Sequence, residues 1–313
     1  MKSGHVGIAG ELRIILRDKE GSVKLDTGYN RNLILNQGLD FFGGGKGGAL
    51  NQSCVIGSGN SAPEVTQTKL DAFITMTSAV STEQDNSYQD RGDNLYRIWE
   101  EKKYRFEGLN DVNISEIGLA SQGSSSNYYL TTRTLVKDSL GNPTSISVRS
   151  GETLDIFYKI HKVIGTEDTS YVINLLDGSG GSTPYNVVVR AQDVGGSGNS
   201  VSTVGSAVQL VLSDKDNLLP VTSQGLNETT GIGEFEAYVE GSYKIVSIVN
   251  LGLNTYNKSI RTAKSRIISY AYKLISFQMR LGSVDGDLPI IKTNKDIMSI
   301  PLEFSWGRFE GEL

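Results

Sequence analysis

An antiparallel, mainly β fold is expected for this 313-residue chain: a β-sandwich-like domain with one or two short helices and an inserted Gly/Ser-rich β subdomain. Three observations lead there. Apolar residues recur at every second position through most of the sequence, the spacing of half-buried strands. The 36 glycines fall largely between these runs, as turn punctuation does. No succession of strand, long helix and strand is present to build a parallel sheet.

Taken in order, Leu12, Ile14 and Leu16 share one face of a strand with arginines on the other, and Lys19-Glu20-Gly21-Ser22 turns it into the alternating run Val23–Asp26. Residues 32–42, NLILNQGLDFF, place Leu35, Leu39 and Phe42 at helical spacing and predict one short helix ended by the glycines at 43–48. Residues 75–94 are polar and read as a long loop. LYRIWEEKKYRFEG (95–108) alternates through a charged middle, which suits an exposed strand pair. ISEIGLA, YYLTTRTLVKD and TSISVRSGETLDIFYKIHKV follow as strands, with Leu140-Gly141-Asn142-Pro143 as a hairpin turn. Along the last of these, Ile156, Tyr158, Ile160 and Lys162 share one face, and Phe157, Lys159, His161 and Val163 the other.

Composition then divides the chain. Residues 1–164 form the first part of the main β domain, 165–245 an inserted β subdomain or set of long loops, and 246–313 strands returning to the main domain. Within the last part, the alternation of Ile268, Tyr270, Tyr272 and Leu274 makes 267–281 a strand rather than a helix.

Charge and cysteine usage exclude several functions. The 35 acidic and 30 basic residues are interspersed, with a net charge of −5. No phosphate-neutralising stripe exists, so a sequence-specific nucleic-acid partner is not expected. No run approaches the ~18 apolar residues of a membrane span, so no membrane partner is expected either. At the N-terminus charge returns at Glu11 and Arg13, too early for a signal-peptide apolar region, which predicts a protein kept in a cytoplasm or exported without a conventional signal. Cys54, the only cysteine, sits beside Val55 and Ile56 and reads as a small buried hydrophobe.

Several short motifs invite a catalytic or cofactor reading. Gly57-Ser58-Gly59-Asn60-Ser61-Ala62 fits a dinucleotide-binding glycine pattern. However, Pro63 follows it, Ser61–Glu64 reads as one capped helical turn, and Glu83, at the distance of a ribose-binding acid, lies in a polar stretch. The glycines are better read as a turn. Gly43–Gly48 has Gly47 where a phosphate loop needs Ser or Thr after Lys46, and lacks the first glycine of that pattern. With only His5 and His161, little remains for a triad or an imidazole metal site. Glu116, Glu152 and Asp155 would have to converge for carboxylate catalysis. Arg91-Gly92-Asp93 reads as turn chemistry rather than a receptor motif, and neither Asp214–Asn217 nor Asp285–Asp287 has EF-hand spacing. No catalytic, cofactor-binding or metal-ligating residue is therefore assigned.

Four segments, in this order, resemble structural proteins of tailed-bacteriophage tails and necks. They are Asn32–Leu39, IGSGNSAPEVTQTKL at 56–70, ISEIGLAS at 114–121 and RTLVKDSLGNPTSISVRSGETLDIFYKI at 133–160. Phe304-Ser305-Trp306-Gly307-Arg308 is similar to the closing strand of such proteins. The resemblance covers about half of the chain, and residues 165–245 match nothing in it. It implies a non-enzymatic virion subunit of the tail, neck (collar) or baseplate, assembled in the host bacterial cytoplasm. Its partners would be copies of itself and other virion proteins, with no cofactor. The glycine segment would be a connection within the β fold.

The alternative is a receptor- or glycan-binding adhesin at the virion surface, using Tyr/Asn-rich stretches such as Asn127-Tyr128-Tyr129 and Asn254-Thr255-Tyr256-Asn257. A polysaccharide hydrolase is a third reading. For the subunit reading the interface candidates are Phe304, Trp306, Arg308 and Phe309: aromatics on a terminal strand either close the protein's own core or dock on a neighbour.

Overall fold

The computed structural model describes residues 1–43, 50–83, 88–121, 127–138, 140–194, 207–223, 230–268 and 273–313. Its first half runs β1 (Lys2–Arg17), β2 (Val23–Ile34), α1 (Asn36–Phe42), β3 (Ser53–Gly57), β4 (Phe73–Glu83), β5 (Tyr88–Asp90) and β6 (Leu95–Phe106). There follow β7 (Val112–Ile114), β8 (Glu116–Ser121), β9 (Tyr129–Leu130), β10 (Thr132–Leu135), β11 (Ile146–Val148) and β12 (Thr153–Gly165). The second half holds β13 (Thr169–Leu176), β14 (Ser182–Gln192), β15 (Ala207–Ser213), β16 (Gly231–Glu234) and β17 (Lys244–Leu251). It ends with β18 (Ser259–Ile260), β19 (Thr262–Ile268), β20 (Lys273–Ser283), β21 (Ile290–Ile291) and β22 (Met298–Arg308). The protein is mainly β, and among the described residues its sheets are antiparallel but for one strand pair.

The pairing order β1–β12–β6–β4–β3–β8–β10–β2 returns to β1, so eight strands close into an antiparallel barrel. Closure removes sheet edges that would otherwise stay unpaired. The length of β1 lets it serve both the barrel and an extension of the same sheet. Gly10–Arg17 is flanked by β2 and β12, whereas Lys2–Ile8 pairs in parallel with β22, which in turn pairs with β17. A second, six-stranded sheet, β13–β14–β20–β19–β15–β16, packs against this extension. The sandwich-like packing lies there. The Phe304 ring sits 6.3 Å from Phe277 and 6.5 Å from Phe235, both on the second-sheet side. Gly4 makes the approach feasible, because a Cβ there would collide with the Phe277 ring. One apolar core runs from the barrel interior into this interface.

Several sequence expectations change. Residues 75–94 are not a long loop: β4 and β5 lie within them, and β4 is paired on both sides, by β3 and β6. Its hydroxyl-rich composition suits a strand whose stability comes from ladder bonds rather than from apolar burial. Residues 95–106 are one continuous strand and not an exposed pair, with Tyr96, Ile98, Tyr104 and Phe106 buried. Residues 267–281 contain a chain reversal, since β19 and β20 run antiparallel with Ile267 opposite Ile275; Tyr270 and Tyr272 lie outside the described residues. The segment 165–245 supplies β13 to β16 and the start of β17, but the strands between β14 and β15 are β19 and β20, from the final part of the chain.

The barrel interior carries an unexpected charge. Lys162, on the inward face of β12, is fully buried with its Nζ 5.2 Å from the centre of the Phe42 ring. Burial lowers its pKa from 10.5 to about 7, with Glu100 opposing the shift. Below pH 7 the lysine is protonated in both folded and unfolded chains, and the folded state bears the full cost of a buried charge. Between pH 7 and 10.5 the unfolded chain holds a proton that the folded chain has shed, so stability rises with pH. Lys162→Met is therefore expected to stabilise the protein at pH 6.5 by a few kcal/mol, and the gap should shrink toward pH 10. Urea unfolding at the two pH values checks this; a gap independent of pH would show that Lys162 does not titrate in this window.

Candidate assembly surface

The four C-terminal interface candidates are brought together by β22 and the residues after it, and each finds a partner within the chain. Trp306 is buried, with ring centroids 5.6 Å from both Phe42 and Tyr238, and its indole N–H donates to the Leu39 carbonyl at 2.9 Å. Phe304 fills the interface between the sheets. The Arg308 guanidinium donates to the Ile34 carbonyl and to Asn36, bracing the start of α1. Phe309 lies against Gly7 and Gly311, and Arg31 donates to the carbonyls of Phe309 and Gly311. Phe304 and Trp306 close the chain's own core, and the contacts of half-buried Arg308 and Phe309 pin its last residues to the barrel.

The three carboxylates considered for catalysis are held in separate ion pairs. Asp155 is fully buried and receives Arg105 at 2.7 and 2.9 Å, with Lys103 at 3.2 Å and Arg17 at 3.4 Å. Burial pushes its pKa up, but Arg105 and Lys103 outweigh that and hold it below the usual carboxylate value. Glu152 pairs with Lys24 and accepts the Arg149 amide at 2.9 Å.

Glu116 explains the glycine motif. Its carboxylate accepts the amides of Gly59 at 2.9 Å, Ala72 at 2.8 Å and Asp71 at 3.1 Å. The fully buried Arg133 guanidinium binds Glu116 at 2.8 Å, Asp71 at 2.8 Å, Gln67 at 2.9 Å and the Ser61 carbonyl at 3.1 Å. The amides that would cradle a phosphate thus hold the protein's own carboxylate, and a Cβ on Gly59 would collide with Asp71 and Glu116. Ser61–Glu64 is a bend rather than a helical turn. Glu83 ends β4, whereas Gly44–Gly48, with Lys46, lie outside the described residues.

The remaining motifs serve structure. Cys54 is buried, and burial pushes its thiol far above the ordinary range. His161 is buried against Trp99 and bonds Glu11 at 3.0 Å, whereas His5 is exposed beside Ser305. Both oxygens of Asp93 bind Arg97, and Gly92 takes a φ of +75°. Asp216 and Asp287 face Arg261 and Arg280. Among the described residues no cluster of three His, Cys, Asp or Glu has the arrangement of a metal site. Tyr128, expected at the surface, is buried with Lys69 over its ring, because its hydroxyl accepts the Leu70 amide.

The surface that stands out was not anticipated from the sequence. β13, TSYVINLL, is the edge of the second sheet, and among the described residues its eight residues pair only with β14. Along it Tyr171, Ile173 and Leu175 turn inward while Val172 and Leu176 are 57% and 74% exposed. Beside it opens an apolar cavity of about 330 Å³, lined by Ile173, Leu175, Leu281, Ile290, Met298 and Ile300. The sequence neighbours of that lining, Ile291 and Ile297, are 64% and 71% exposed. Native proteins usually protect such an edge with charge, proline or a bulge, and β13 contains none of these. The one readable signal was an uncharged alternating run inside a segment otherwise rich in Gly and Ser.

No family model, curated protein or solved structure matches this chain.

Proposed function

We propose that the chain is a non-enzymatic structural subunit of a tailed-bacteriophage virion, in the tail, neck (collar) or baseplate, whose work is binding to neighbouring subunits. The observation that carries this reading is the bare edge of β13 with its apolar cavity. Monomeric proteins seldom leave a long uncharged edge and a contiguous apolar patch in water, whereas assembly subunits cover both with neighbours. The order of the motifs resembling phage tail and neck proteins directs the reading to a virion, with copies of the chain and other virion proteins as partners.

A surface adhesin is the second reading, favoured by one observation. A cleft of about 740 Å³ opens between barrel and second sheet, mostly apolar but with His5, Asn94, Glu167 and Arg308 beside the rings of Tyr171 and Phe309, a size suited to an oligosaccharide. Quantitative mass spectrometry of purified particles from the phage encoding the chain tests the leading reading. The expected result is a fixed number of copies per particle; absence from intact particles would overturn it. A glycan array tests the second, with binding lost in Tyr171→Ala expected if the cleft is the site.

A further inference from the structure

Resting on the assembly reading, we propose that the β13 edge receives an extended β-strand from a different protein, one with apolar residues at alternate positions and a basic residue at each end. An edge strand of eight residues, about 26 Å long, turns the N–H and C=O of roughly every second residue outward. Among the described residues no turn or loop backbone bond reaches the β13 backbone from any element other than β14. An added strand would complete this ladder. Its inward side chains would extend the row of Tyr171, Ile173 and Leu175 and close the open side of the apolar cavity. This is strand addition, in which the backbone supplies affinity and pockets for alternate side chains supply selectivity.

Charge selects the occupant. The strand itself is neutral, but Glu167 and Asp168 precede it and Asp177 follows it, all exposed. Asp168 is matched by Arg190 at 2.7 Å. Glu167 contacts the Asn94 amide at 2.8 Å, and Asp177 accepts the amides of Ser179 and Gly181, so neither carboxylate meets a cation in these contacts. A second copy pairing through its own β13 in antiparallel, near-full overlap would set Glu167 of one chain opposite Asp177 of the other. Like charges directly across a strand pair repel. A strand with lysine or arginine at both ends turns the same two positions into attractions, which also fixes its register and its partner identity.

The test uses the full chain and a fluorescein-labelled eight-residue peptide of alternating threonine and valine with lysine at both ends, read by fluorescence anisotropy. Saturable binding is expected, about tenfold tighter than for the same peptide with glutamate ends, with the difference fading as salt is raised. In Glu167→Gln/Asp177→Asn the preference between the peptides should vanish. Val172→Lys and Leu176→Lys, both at exposed positions, should weaken binding of the lysine-ended peptide. Equal binding of the two peptides, or no binding of the lysine-ended one at millimolar concentration, would overturn the inference. So would a sedimenting dimer that Val172→Lys converts to monomer, because the edge would then be self-pairing. A chain abundant in particles whose edge ignores the lysine-ended peptide sinks this inference alone and leaves the assembly reading in place.

Discussion

Arg133→Met is expected to lower the folding free energy by about 3–5 kcal/mol, the usual cost of stranding one member of a buried ion pair. Arg133 and Glu116 are both fully buried, and among the described residues the guanidinium is the one cation in ion-pair contact with the Glu116 carboxylate. Removing it leaves the buried Glu116 carboxylate without its guanidinium and takes one donor each from the Ser61 carbonyl, Gln67 and Asp71. A second change, Glu116→Met, should not rescue the variant. The amides of Gly59, Asp71 and Ala72 would then lose their acceptor, and buried amides without partners are themselves costly. Urea unfolding measures the loss, and hydrogen exchange locates it: the Gly59 and Ala72 amides should exchange first. A loss under about 1 kcal/mol would mean that water enters and solvates the carboxylate, and the clamp would have to be reinterpreted.

Trp306→Ala should cost a comparable amount, about 3–5 kcal/mol, from the transfer of the indole and the cavity left between Phe42 and Tyr238. Trp306→Phe isolates the polar part. It keeps most of the ring contact and removes the indole donor, while the Leu39 carbonyl still accepts the Gly43 N–H at 3.1 Å, so a loss of about 0.5–1.5 kcal/mol is expected. Truncation after Leu302 removes Phe304, Trp306 and Arg308 together and should abolish cooperative unfolding measured by circular dichroism. A truncated chain that still unfolds cooperatively would show that these residues are dispensable to the core and free to dock elsewhere.

These two sites separate what local pattern could reveal from what it could not. The alternation in β1, β12 and β22 and the helical spacing of Leu39 and Phe42 were legible, because each reports which face of an element meets apolar surroundings. The burial of Cys54 followed from neighbouring residues in the same way, whereas Gly57 and Gly59 are required not by a positive φ but by the space that Glu116 and Asp71 occupy. Two aromatics at alternate positions near the C-terminus announced a buried face, but not which element would cover it. The polar β4 and the inward Lys162 were illegible for a related reason: a strand paired on both sides tolerates hydroxyls, and a barrel interior can enclose a lysine stem against Phe42.

Periodicity thus determines that this chain forms strands, where most of them lie and which side chains turn inward. Partner choice is decided elsewhere. β1 meets β12 and β22 across sequence separations of roughly 150 and 300 residues, Arg133 meets Glu116 through β10 and β8, and β13 is left at an edge solely by the order of the second sheet. A strand's side-chain period is written in its own residues, whereas its neighbours, and any edge it leaves bare, depend on the free energy of the whole assembled sheet.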